Sequence, residues 1–187
     1  MSTSIQPLFN KKKWKSRMLE PVIQQQIKIL SVLLKESASS TAEPAKNDRP
    51  VNNHLAIFYG AAGTGKKQAA SLLGQWTVKE VYRINLSMVV SKYIGETEKN
   101  LDLLFAKAEN KNWILFFDEA DALFGKRTNV KDAHDKYANQ EISYLLQKIE
   151  SYEGLVILSG NNKALGDEAL HRHFQTVIRF PKRKKKK

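Results

Sequence analysis

The sequence predicts an α/β fold, a five-stranded parallel sheet lying between layers of helices. Three observations predict it. From residue 54 onward, short apolar runs alternate with stretches of helical periodicity. The runs are apolar at odd and even positions alike, which is what a strand covered on both faces requires. A glycine-rich stretch, GAAGTGKK at 60–67, stands where the first run ends and a helical pattern starts.

The elements follow in order. Residues up to about 50 read as an N-terminal extension. Within it Pro21 opens a helix that carries Ile23, Ile27, Leu30 and Leu34 on one face. ESASSTAEPAKNDRP at 36–50 is polar and contains two prolines, a linker composition. HLAIFYG at 54–60 is the first predicted strand, and Lys66 to Gly74 the helix after the glycine loop. EVYRINL at 80–86 is the second strand. Thr97 to Asn110 is a helix, with Leu101, Leu104, Phe105 and Ala108 on its apolar face. WILFFDE at 113–119 is the third strand, followed by a loop and a long helix bearing Ile142, Leu145, Leu146 and Ile149. LVILSGN at 155–161 is the fourth strand, DEALHRHF at 167–174 a short helix, and TVIRF at 176–180 the fifth strand. Alternation of this kind implies parallel pairing with helices on both faces. The domain organisation expected is an extension at 1–50, a core at 51–181 and a basic tail at 182–187.

Composition narrows the function classes. Apolar residues make up 42% of 187, enough for a folded core. With no cysteine, disulfides and thiolate metal sites are excluded. No stretch reaches the roughly 18 apolar residues of a membrane span, and MSTSIQPLFNKKKWK lacks a signal-peptide core, so the expected location is the cytoplasm, with no membrane partner. The net charge of +12 is concentrated at the ends: PKRKKKK carries six positive charges and KKKWKSR five. No aromatic platform accompanies the closing run, so nucleic acid is expected only as a nonspecific partner of the tail.

Two motifs carry chemistry. In GAAGTGKK the loop Gly60, Ala61, Ala62, Gly63, Thr64, Gly65 leaves a strand and enters a helix at Lys66 and Lys67. That arrangement turns backbone N–H groups and a helix N-terminus toward phosphate oxygens, and Lys66 would reach the β- and γ-phosphates of ATP. In ILFFDEAD, Asp118 and Glu119 close a buried strand at the end where parallel sheets bind ligands. Asp118 can hold Mg²⁺, usually through water, and Glu119 can polarise the water that attacks the γ-phosphate.

With these motifs the chain resembles the AAA+ ATPases, ring-forming machines that remodel or thread proteins. The resemblance spans about 55–181 and adds SKYIGETEKN at 91–100, the strand ending in Asn161, and DEALHRHF before the last strand. It implies a three-layer P-loop NTPase fold built on that five-stranded parallel sheet. It also implies a pore loop, in which Lys92, Tyr93 and Ile94 would grip an extended polypeptide substrate. Asn161 would position the attacking water, and Arg172 would act as the arginine finger toward a neighbouring subunit. A narrower likeness, over 81–128, is to ATPases that accompany phage-tail-like contractile injection systems.

The chain departs from that family pattern at three points. Lys67 stands where a Ser or Thr hydroxyl normally binds the magnesium ion, and an ammonium cannot coordinate a cation. His173 takes the place of a second arginine before Phe174. PKRKKKK follows Phe180 where the family continues into a helical lid. Ala61 and Ala62 replace a common pair of prolines at variable positions. Three functions therefore compete on sequence: an ATPase working as a homo-oligomeric ring on a protein substrate, a nucleotide-binding assembly or adaptor subunit that does not hydrolyse, and a basic nucleic-acid-binding protein.

Overall fold

The computed structural model describes residues 5–8, 19–39, 53–91, 93, 95–125, 133–161 and 165–182. In chain order the first elements are strand β1 (Ile5–Pro7), helix α1 (Pro21–Ser39), strand β2 (His54–Gly60) and helix α2 (Lys66–Thr77). Strand β3 (Val81–Asn85), the short helix α3 (Leu86–Val89) and helix α4 (Glu96–Ala108) come next. Then follow β4 (Ile114–Asp118), α5 (Asp121–Phe124), α6 (Ala133–Ser151), β5 (Leu155–Gly160), α7 (Glu168–His171) and β6 (Thr176–Phe180).

The five predicted strands pair in parallel, and the sheet order is β1-β3-β4-β5-β2-β6. The sheet has six strands rather than five, because β1 joins β3 antiparallel, with Ile5 opposite Ile84 and Pro7 opposite Tyr82. Three residues ending in proline carry no periodicity from which to read a strand. Their pairing is a tertiary event, and proline is tolerated there because the outer side of an edge strand has no ladder partner to lose. β1 also covers part of the β3 edge, which would otherwise be open to another chain.

Period-two alternation sorts the core into two layers. Ala56, Phe58, Ile114, Phe116, Leu155, Ile157, Ile178 and Phe180 face α1 and α2. Leu55, Ile57, Leu115, Phe117, Val156 and Leu158 face the cluster formed with α4, α5 and α6. The α1 residues Ile23, Ile27, Leu30 and Leu34 are buried in the first layer, so this helix of the N-terminal extension packs on the same core as the glycine-loop helix. Each such buried aliphatic side chain contributes about 1.5–3 kcal/mol before entropy is subtracted.

Helix ends moved from their expected positions for local reasons. α2 runs past Gly74 to Thr77 and stops at Val78, whose left-handed backbone (φ 56°, ψ 37°) lets its N–H donate to the Gly74 carbonyl. α4 ends two residues early, and Asn110 beyond it is left-handed, at φ 59°. α7 keeps only Glu168–His171 of the predicted 167–174. Among the described helices none is long and apolar enough to cross a membrane.

Candidate functional site

The glycine loop lies at the C-terminal end of β2, a strand flanked by β5 and β6. Gly60 pairs with Phe180, and its φ of +148° is one that side chains rarely adopt. A Cβ there would lie 2.3 Å from the Phe180 carbonyl oxygen, so glycine is required by the neighbouring strand. Gly63 differs. At φ +74° a Cβ would meet nothing within 4 Å, so its open side is the space a Cβ would fill and a phosphate could use. Gly65, left-handed at φ 104°, turns the chain into α2, whose first N–H groups have no acceptor within the helix. Thr64 is buried, and its hydroxyl donates to the Ala61 carbonyl at 2.9 Å, bracing the loop from inside.

Lys66 folds over this loop, with Nζ donating to the carbonyl oxygens of Gly60 (2.8 Å) and Ala61 (2.9 Å). Burial pulls its ammonium below the ordinary lysine value. Asp118 and Asp121 oppose that fall, and Lys67 adds to it. Lys67, in the first turn of α2, reaches across to β4 and places Nζ 2.7 Å from Asp118 Oδ2.

Asp118 is also held by a residue that sequence reasoning missed. Arg83 Nε donates to Asp118 Oδ2 at 2.8 Å, and Nη2 lies 2.7 Å from the same oxygen. The signal was available. In VYRIN, Arg83 has the parity of Val81, and opposite it in register stands Phe116, two residues before Asp118 on the same strand face. An arginine on the core side of a buried strand needs an acid, and Asp118 was the acid within reach.

Glu119 follows immediately, in the left-handed conformation at φ 57°. Its Oε2 accepts from Ser87 Oγ at 2.9 Å, and its Oε1 lies 3.7 Å from Arg83 Nη2. A non-glycine residue at positive φ is uncommon, and here it turns the carboxylate out at the strand end. Asn161, just past β5, donates its backbone N–H to Asp121 Oδ1 at 2.9 Å. Asp121 also went unnoticed in the sequence, and it ties the β5 end to the β4 end.

The other predicted residues lie outside this cluster. Arg172 is exposed in the turn after α7. Of its neighbours, His171 has Nε2 at 2.8 Å from the Leu165 carbonyl and a ring 5.6 Å from that of Tyr59, and His173 has Nδ1 at 3.1 Å from Glu150 Oε1. Tyr93, on the loop before α4, is 73% exposed. Its partners in the proposed grip, Lys92 and Ile94, lie outside the described residues, as do the basic runs 11–17 and 183–187 and most of the 36–50 linker.

The residues present suit a nucleoside triphosphate: a glycine loop with open space at Gly63, a helix N-terminus, and Lys66 already in place over the loop. For Mg²⁺ they offer less. Among the described residues no three His, Asp or Glu side chains converge into a group that could hold a metal ion. A cavity of about 890 Å³ opens elsewhere, lined by His54, Lys79, Asn112 and Tyr152 near the N-terminal ends of the strands. No glycine-loop residue lines it, and phosphate recognition in parallel sheets belongs to the C-terminal ends.

Comparison with known proteins agrees with this geometry. Residues 56–182 match the model of the ATPase family associated with various cellular activities (AAA). Over 133 residues the chain is 38% identical to a vesicle-fusing ATPase of Arabidopsis thaliana, covering 62% of this chain and 17% of that protein. It is 30% identical over 133 residues to proteasome-activating nucleotidase 2 of Haloferax volcanii, covering 67% of this chain and 32% of the relative. The chain thus spans a third or less of the length of these relatives. The crystal structure of the FIGL-1 AAA domain superposes with a TM-score of 0.67 at 22% identity, covering 95% of this chain and 57% of that one. The same domain in complex with ADP gives 0.63 at 20% identity. At these identities the two structures bear on the fold alone.

Proposed function

The chain belongs to the AAA family of ATPases, and on that premise we propose that it binds ATP with Mg²⁺ and hydrolyses it to drive work on a protein substrate. The observation that carries the proposal is Lys66 held over an open glycine loop at the end of β2, with Asp118 and Glu119 at the same end of β4, one strand further along the sheet. In this reading the loop N–H groups and Lys66 bind the phosphates, and Asp118 holds the magnesium ion. Bound there, the ion neutralises charge on the β- and γ-phosphate oxygens. Glu119 accepts a proton from the attacking water, and Asn161 orients that water. Arg172 reaches the nucleotide of a neighbouring subunit, and Lys92, Tyr93 and Ile94 grip the polypeptide.

Family members generally act as oligomeric rings on protein substrates, and the relatives' names speak of vesicle fusion and proteasome activation. Both support a ring that works on protein assemblies. The neighbour with bound ADP supports a nucleotide site. The narrower affinity, to ATPases of contractile injection systems, is our reading of residues 81–128. So are a cytoplasmic location, the division at about 50 and 181, and a tail that binds nucleic acid only through its charge.

The test is ATP binding and turnover, with oligomeric mass, in the full chain and two variants. Lys66→Ala is expected to lower ATP affinity at least tenfold. Glu119→Gln is expected to keep binding and remove turnover. Unchanged hydrolysis in Glu119→Gln takes that residue out of the mechanism. Binding without turnover in the parent chain makes it an assembly subunit instead.

A further inference from the structure

We propose that Lys67 is a tethered cation that competes with Mg²⁺ for Asp118, making nucleotide binding by this protein largely independent of magnesium. The inference rests on the ATP-binding reading above and adds to it a role for the residue that replaces the usual hydroxyl.

Three observations carry it. First, Lys67 Nζ lies 2.7 Å from Asp118 Oδ2, the carboxylate that would serve the metal. Second, Asp118 does not need Lys67. Its side chain is only 10% exposed, and a carboxylate so buried requires a counter-charge, which Arg83 already supplies from two nitrogens at 2.8 and 2.7 Å. With Lys67 added, one carboxylate oxygen faces two cations, and Glu119, 3.7 Å from Arg83, balances the second charge from outside. Third, the Lys67 side chain is 49% exposed, so it can leave the carboxylate for a phosphate without being drawn out of a packed core.

The second cation on Asp118 has a consequence for ligands. A nucleotide polyphosphate is strongly negative and is drawn to a site where Lys66 and Lys67 lie side by side in the first turn of α2. A divalent ion approaching Asp118 meets Arg83 and Lys67 already on Oδ2, and like charges at such distances repel through a partly buried medium. Lys67 moving from Asp118 to the phosphates supplies part of the neutralisation that the ion otherwise provides. The site is therefore built to hold nucleotide with or without the metal.

The experiment is calorimetric titration of the full chain with ATP, in excess Mg²⁺ and in EDTA, for the parent and for Lys67→Thr and Lys67→Ala. Titration with Mn²⁺ alone, followed by the paramagnetic signal of the free ion, runs beside it. The parent's affinity is expected to change less than about threefold on removing magnesium, and that of both variants about tenfold, which is roughly 1.4 kcal/mol. Mn²⁺ is expected to bind both variants more tightly than the parent. The alanine variant separates loss of the cation from gain of a hydroxyl ligand: a rise in magnesium dependence in threonine only would overturn the tethered-cation role. Equal magnesium dependence in all three overturns it too, while leaving ATP binding itself upheld. Absence of ATP binding by the parent in either buffer overturns both readings together.

Discussion

Replacing Gly60 with alanine separates what the fold demands of the glycine loop from what the ligand demands. Gly60 ends β2 opposite Phe180 of β6 at φ +148°. The added methyl would sit 2.3 Å from the Phe180 carbonyl oxygen and 3.0 Å from its Cβ. A carbon and a carbonyl oxygen approach to about 3.3 Å at closest, so roughly 1 Å of overlap must be relieved. The obstructing atom is backbone within a ladder, and Phe180 is buried against Phe58 with ring centroids 5.3 Å apart. Backbone strain at this φ costs about 1–3 kcal/mol, and overpacking about as much again. Together they remove about 2–6 kcal/mol from a total that is usually 5–15. For a chain of this size that lowers the thermal midpoint by about 5–20 °C. Gly63→Ala is the companion, because a Cβ there meets nothing within 4 Å. Its cost is backbone strain alone, about 1–2 kcal/mol, whereas the methyl enters the space assigned to phosphate. The assay is thermal unfolding followed by circular dichroism, with ATP titration on both variants. The expected pattern is a large loss of stability in Gly60→Ala, and in Gly63→Ala a small one with at least a tenfold loss of ATP affinity. A midpoint for Gly60→Ala within about 2 °C of the parent would refute the reasoning from the Phe180 carbonyl.

Two other predictions concern the surface. Tyr93→Ala is expected to leave stability within about 0.5 kcal/mol of the parent, because the ring is 73% exposed, while ATP-driven processing of an unstructured polypeptide such as casein falls. Normal processing by that variant removes Tyr93 from substrate contact. Val78→Gly is expected to raise stability by about 0.5–1 kcal/mol, since Val78 is 92% exposed and left-handed, so strain of about 1–2 kcal/mol is relieved against the greater freedom of glycine in the unfolded chain. A lowered thermal midpoint would mean that the valine side chain makes a contact worth more than its strain.

The sequence by itself determined the layers and the place of the site. Apolar residues at both parities in HLAIF, ILFF and LVIL require strands covered on two faces, and that requirement is local to each run. GAAGTGKK and ILFFDEAD then put glycines, lysines and carboxylates at strand ends, because a motif's own neighbours say which element it leaves and which it enters. Tertiary structure alone decided the rest. The strand at Ile5–Pro7 exists because the β3 edge is there to receive it, and three residues hold no period of their own. Glu119 is aimed by Ser87 and Arg83, which precede it by 32 and 36 positions. Lys67 was legible as a missing hydroxyl, but not as an ion pair. Its partner lies 51 residues away on β4, which β5 separates from β2 in the sheet, and only the folded chain brings the two within 2.7 Å. Periodicity is a property of neighbours in the chain, whereas charge pairing depends on distance in space, and distance is set by strand order and register.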